Sequence, residues 1–115
     1  WVHYALHGVH HEFPNDASRV FMPPVPGLIL SVLLFMPFYL VLGDVAFFVF
    51  AGVILGYTLY SFVHYSIHHK KPPKGFERLW KHHLVHHFQQ PEKAFGVSSV
   101  FWDKLFDTMP EAPKK

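Results

Sequence analysis

The stretch VAFFVFAGVILGYTLYSFVHYSIHHK, Val45–Lys70, decides the fold. Residues 45–63 carry no charged side chain, and the end of the stretch carries His64, His68 and His69. As a helix with about 1.5 Å of rise per residue, Val45 to His64 spans roughly 28 Å. The hydrocarbon core of a bilayer is about 30 Å thick. The stretch therefore reads as one membrane helix whose last turns emerge at the boundary carrying histidines. His64 and His68 are four residues apart and share a face. His69 is turned away from them by about 100°.

Working outward toward the N-terminus, a second apolar run covers Gly27–Gly43. Between Arg19 and Lys70 the only formal charge is Asp44. A soluble domain would place charge on any surface exposed over such a length. The expectation is a helical hairpin, with spans at about 27–43 and 45–63, turning at Gly43–Asp44. Pro23, Pro24 and Pro26 predict a stiff lead-in to the first span, and Pro37 predicts a kink within it. Gly52 and Gly56 have the G-x-x-x-G spacing that permits close helix approach. All ten lysines and arginines lie outside the hairpin, with Lys70, Lys71, Lys74, Arg78 and Lys81 just after it. By the positive-inside rule that end is cytoplasmic, and a hairpin brings the N-terminal segment to the same side. The deep positions lack the polar residues a transporter needs. The net charge of +2 suits an anionic lipid surface and gives no argument for nucleic acid. The chain has no cysteine, which excludes disulfides and cysteine-based zinc sites.

The histidines supply the chemistry. Eleven occur in 115 residues, in three clusters. HGVHH holds His7, His10 and His11; HYSIHH holds His64, His68 and His69; HHLVHH holds His82, His83, His86 and His87. Further helices are expected over 1–12, 76–88 and 101–106, with a break at Phe13–Asp16. Neutral imidazole is a metal ligand, and ligands three or four apart on a helix can reach one ion. Helical faces turn His69 and His82 away from their clusters and make them dispensable for metal binding; His3, one turn before His7, is also taken as a non-ligand. Eight imidazoles remain, more than one ion of roughly four to six ligands takes, so two ions are expected. Imidazole suits zinc, copper, iron and nickel.

These residues resemble the fatty acid hydroxylase superfamily of membrane non-haem diiron enzymes, most closely its fatty acid 2-hydroxylase branch. HGVHH followed by Pro14, Asp16, Arg19 and Met22-Pro23-Pro24 is similar to that branch's HG-x-HH to MPP stretch. Gly56-Tyr57, Tyr60, His64-Tyr65 and His68 resemble its next helix, and His83, His86 and His87 its last histidine box. Phe95-Gly96-Val97-Ser98, Trp102-Asp103 and Phe106 resemble its closing segment. The resemblance implies an all-α fold: an integral membrane hairpin with a cytoplasmic histidine-rich helical cap holding a dimetal site. It implies that residues 1–115 form a catalytic domain, and that His7, His10, His11, His64, His68, His83, His86 and His87 are its ligands. No catalytic residue beyond the metal ligands is expected. The family's further upstream histidine pair, H-x-x-x-x-H, does not occur here. That absence and the opening on Trp1 suggest a domain truncated at its N-terminus, and a fragment that is inactive alone. Ser61 stands where the family commonly has aspartate.

The implied reaction is O2-dependent hydroxylation of a fatty acyl chain or ceramide at C2. It requires two iron ions, O2 and an external electron-donor protein, and zinc can replace iron on purification. The expected location is the membrane with the site facing the cytoplasm: endoplasmic reticulum in a eukaryote, inner membrane in a bacterium. The alternatives are a sterol or carotenoid oxidase or desaturase of the same superfamily, and a non-catalytic membrane metal-binding protein.

Overall fold

The computed structural model describes residue 4 and residues 8–111. The described residues contain six helices and no strand: α1 Val9–Glu12, α2 Ala17–Val20, α3 Pro24–Leu42, α4 Val45–His69, α5 Glu77–Phe88 and α6 Phe101–Leu105. The chain divides into two compact units, Trp1–Phe62 and Val63–Lys115.

In the first unit, the expected break at Phe13–Asp16 is a turn, followed by the short helix α2, which the sequence did not predict. Asp16 caps it, its Oδ1 accepting from the Ser18 amide at 3.0 Å and its Oδ2 from Arg19 Nε at 2.9 Å. The proline run is more helical than a stiff lead-in. Pro23 is the N-cap of α3 and Pro24 its first residue. The first amides of a helix have no partner within it, so a proline there forfeits nothing. Helix α3 continues across Pro37 without a break in assignment. The turn falls at Gly43–Asp44 as expected. Gly43 has φ of +55°, a left-handed conformation that only glycine adopts cheaply, and its amide donates to the Tyr39 carbonyl at 2.9 Å.

Aromatic rings fasten the hairpin near this turn. Phe35 meets Phe47 and Phe50 at centroid distances of 5.1 and 5.3 Å, and Tyr39 meets Phe47 at 5.9 Å. Elsewhere the apolar side chains face outward. Leu40, Val41 and Phe48 are 79%, 81% and 81% exposed. The apolar windows of the two long helices are 0% and 11% buried within the chain. The core hairpin of a soluble protein would bury these residues. Outward apolar side chains on helices of this length suit a lipid-facing surface, and α3 and α4 are candidate membrane-crossing helices. A Cβ added at Gly52 or Gly56 would meet nothing within 4 Å, so no close helix approach uses that spacing among the described residues.

The second unit begins inside α4, which stays helical through the histidines to His69. Trp80 on α5 packs with Ile67 and Val97, flanked by Val63 and Leu79. Its indole Nε1 donates to the Lys70 carbonyl at 3.0 Å. One side chain thus fills the small core and satisfies a carbonyl just past the end of α4. Beyond α5, residues 89–100 form an irregular segment leading into α6.

Leu33, 64% exposed at the middle of α3, tests the membrane assignment. Leu33→Arg should cost about 2.5–3.5 kcal/mol in membrane insertion and shift α3 out of the bilayer in a glycosylation-mapping assay. On a water-facing surface the same change would be worth under about 0.5 kcal/mol, and insertion would be unaltered.

Candidate metal centre

The end of α4 and the C-terminal half of α5 each carry a histidine pair at i, i+4. Their helical spacing stacks His64 over His68 and His83 over His87. The rings of the four converge. Centroids are 4.7 Å apart for His64 and His83, 5.0 Å for His68 and His83, and 4.6 Å for both His68–His87 and His83–His87. One ring nitrogen from each lies within 4.8 Å of the others. His68 Nε2 and His83 Nε2 are 3.0 Å apart.

Four nitrogens this close fit a transition-metal ion. Two imidazole nitrogens on one ion, each at about 2.0–2.1 Å, are at most about 4.2 Å apart. The observed limit of 4.8 Å is within small side-chain rotations of that. The state of His83 fits as well. It is 1% exposed, and its Nδ1 is buried with no hydrogen-bond partner among the described residues. Burial, reinforced by repulsion from His64, His87, His68 and His86, pushes its pKa far below the ordinary imidazole value. His83 is therefore neutral, and only the neutral ring has a lone pair to give a metal.

His86 is buried on α5, and its Nδ1 donates to the Lys93 carbonyl at 2.8 Å. Its ring lies 6.0 Å from His83 and 5.8 Å from His87. His10 is buried and His11 half-buried on α1, with their rings edge to face at 6.2 Å. His7 and His3 lie outside the described residues. His69 is exposed; it stacks on Tyr65 at 4.3 Å, with Nδ1 donating to the Tyr65 carbonyl at 3.0 Å. His82 has an anionic partner. Its Nε2 is 2.8 Å from Asp103 Oδ2, with the two side chains 5% and 1% exposed.

Asp103 is the residue that spacing arguments do not reveal. Besides His82, it accepts from the amides of Phe95 and Gly96 at 2.9 and 2.8 Å and from the Thr108 hydroxyl at 2.7 Å. Burial alone would raise its pKa. The Thr108 hydroxyl, the His82 ring and the two amides outweigh that and hold the carboxyl below its ordinary value. Its stabilising effect is thus present above the ordinary carboxylate range and is lost as pH falls through the lower folded value. Gly96 is required for this approach. A Cβ there would lie 2.2 Å from the Ser99 carbonyl oxygen and 2.6 Å from Asp103 Oδ2. The only sequence signal for Asp103 is its place in the Trp102-Asp103 segment, which says nothing of its partners.

His83→Ala should remove most bound metal from the purified protein while His69→Ala leaves it unchanged, measured by inductively coupled plasma mass spectrometry. Equal loss would mean that the converging rings are not the ligands. His82→Ala should cost about 1–3 kcal/mol of stability by leaving a buried acceptor short of a partner, read as a lowered Tm in detergent.

Comparison with known proteins adds an independent line. Residues 1–108 match the fatty acid hydroxylase family. A dihydroceramide fatty acyl 2-hydroxylase of Arabidopsis thaliana is 40% identical over 110 residues, covering 94% of this chain and 46% of that protein. The human fatty acid 2-hydroxylase is 40% identical over 116 residues, covering 97% and 31%. The ceramide very long chain fatty acid hydroxylase of Saccharomyces cerevisiae is 41% identical over 118 residues, covering 96% and 30%. A solved structure of full-length scs7p, with only the hydroxylase domain visible, superposes with a TM-score of 0.89 at 38% identity, covering 96% of this chain and 42% of that one. The chain spans less than half the length of each of these relatives.

Proposed function

We propose, because this chain belongs to the fatty acid hydroxylase family, that it is the metal-binding part of a membrane enzyme that hydroxylates fatty acyl chains at C2. The observation that carries the reading is the convergence of His64, His68, His83 and His87 where an apolar helix ends. The names of the relatives, which are fatty acid, ceramide and dihydroceramide hydroxylases, supply the substrate class. Residues 1–115 form one catalytic domain in this reading, and all eight clustered histidines, His7, His10, His11, His64, His68, His83, His86 and His87, hold two metal ions.

Iron bound there would supply O2 activation and the oxidising power to break a C–H bond, with electrons delivered by a separate donor protein. The rest of the work belongs to the chain's own side chains. Burial keeps His83 unprotonated and ready to bind. The i, i+4 spacing on two helices fixes where its partners point. The outward apolar faces of α3 and α4 offer an acyl chain a surface as apolar as the lipid it leaves. A shallow cavity of about 290 Å³ lies against α4, lined by Phe21, Met22, Tyr57, Thr58, Ser61 and Phe62. Ser61 is buried one turn before His64, so polar and apolar groups adjoin at the start of the histidine segment. C2 is next to the carboxyl or amide head group of the lipid. A metal site where a membrane helix leaves the bilayer can reach C2 while the tail stays among apolar side chains. Lys70, Lys71 and Lys74 follow directly; they orient this end to the cytoplasm and attract anionic head groups. In this reading the membrane is the endoplasmic reticulum in a eukaryote and the inner membrane in a bacterium.

The test is lipid analysis of cells without 2-hydroxylase activity of their own, expressing the full-length protein. The expected product is 2-hydroxy acyl chains in the sphingolipid or free fatty acid fraction, abolished by His83→Ala. Hydroxylated sterols or carotenoids without 2-hydroxy acyl chains would overturn the substrate. Bound metal with no oxygenated product would overturn the enzymatic reading.

A further inference from the structure

Buried on the second unit is a polar network outside the four converging rings, and it leads back to a histidine. At its centre is Asp103, whose carboxylate accepts from His82, Phe95, Gly96 and Thr108. The Thr108 amide donates to the Asp103 carbonyl at 2.8 Å, and the Thr108 carbonyl accepts from the Ala94 amide at 2.7 Å. Three consecutive amides, those of Ala94, Phe95 and Gly96, are thus tied to Asp103 or to its neighbour Thr108. Ala94 is 0% exposed and has φ of +57°. A non-glycine residue holds that conformation only where its surroundings impose it. The residue just before this segment is Lys93, whose carbonyl oxygen lies 2.8 Å from His86 Nδ1.

A carbonyl oxygen can only accept, so His86 Nδ1 carries the hydrogen and Nε2 carries the lone pair. Which nitrogen of a histidine binds a metal is set by the hydrogen bond the other one makes. We infer that Asp103 is a positioning residue: through the strained segment 93–96, it holds the Lys93 carbonyl where it fixes His86 as the Nδ1–H tautomer, with Nε2 presented as a metal ligand. The ligand part of this rests on the proposed role of His86; the positioning part rests on the network alone. Asp103 also holds α5 itself. Its bond to His82 anchors the residue immediately before His83, so one carboxylate steadies both the helix and the loop that orients His86.

The test uses the zinc-loaded full-length protein with nitrogen-15-labelled histidine. In the wild type, side-chain resonances should show His86 as a single Nδ1–H tautomer. Asp103→Asn keeps the size of the side chain and removes its charge. It should mix the His86 tautomers and weaken zinc by about 10–100-fold, read by competition with a chelator. Combining it with His86→Ala should weaken zinc by clearly less than the product of the two single effects, whereas general destabilisation would multiply them in full. Should Asp103→Asn fail to fold, Thr108→Val removes one donor to the carboxylate and should give the same shift in lesser degree. An unchanged His86 tautomer in the altered protein overturns the inference. A shifted tautomer with zinc affinity insensitive to His86→Ala supports the positioning role and overturns the ligand role of His86.

Discussion

Several imidazoles occupy a space in which a proton on any one of them would repel the rest. His83 bears this most strongly: it is buried, its ring is close to those of His64, His68 and His87, and its basicity is suppressed by both effects. Neutral rings with converging lone pairs are unfavourable neighbours unless something shares those lone pairs. A hydrogen bond does so for His68 and His83, whose Nε2 atoms are 3.0 Å apart, and a metal ion would do so for the whole set. Trp80 ties α5 to the end of α4, and Asp103 ties the segment after α5 back to it.

His64 and His68 continue directly from an apolar stretch of the same helix. Helix α4 is one element with two environments: apolar and outward-facing through its first part, then lined with histidine in its last two turns. No loop separates the outward apolar surface from His64 and His68. Under the proposed function, that continuity would let an acyl chain stay on an apolar surface while its head-group end approached a metal held by the histidines.

Much of this was legible in the sequence. The uncharged length from Val20 to His69, interrupted only by Asp44, fixed the hairpin, and Gly43 marked its turn. The i, i+4 spacing brought out the His64–His68 and His83–His87 pairs, because a helix enforces that spacing locally. What the sequence hid was non-local. Asp103 is twenty-one residues from His82 and belongs to no periodic pattern, so its capture of His82, Phe95, Gly96 and Thr108 needed the fold. Face geometry set His82 aside from the ligands without showing that it holds a buried carboxylate. The proline run misled for a local reason: at the first turn of a helix a proline starts the element instead of stiffening a loop.

The central claim is that these histidines exist to bind metal. The most direct measurement is the metal content of the purified full-length protein, with X-ray absorption to identify the ligand atoms. The account predicts close to two transition-metal ions per chain, iron or zinc replacing it, in a shell dominated by imidazole nitrogen. A well-folded protein with no tightly held metal would contradict it.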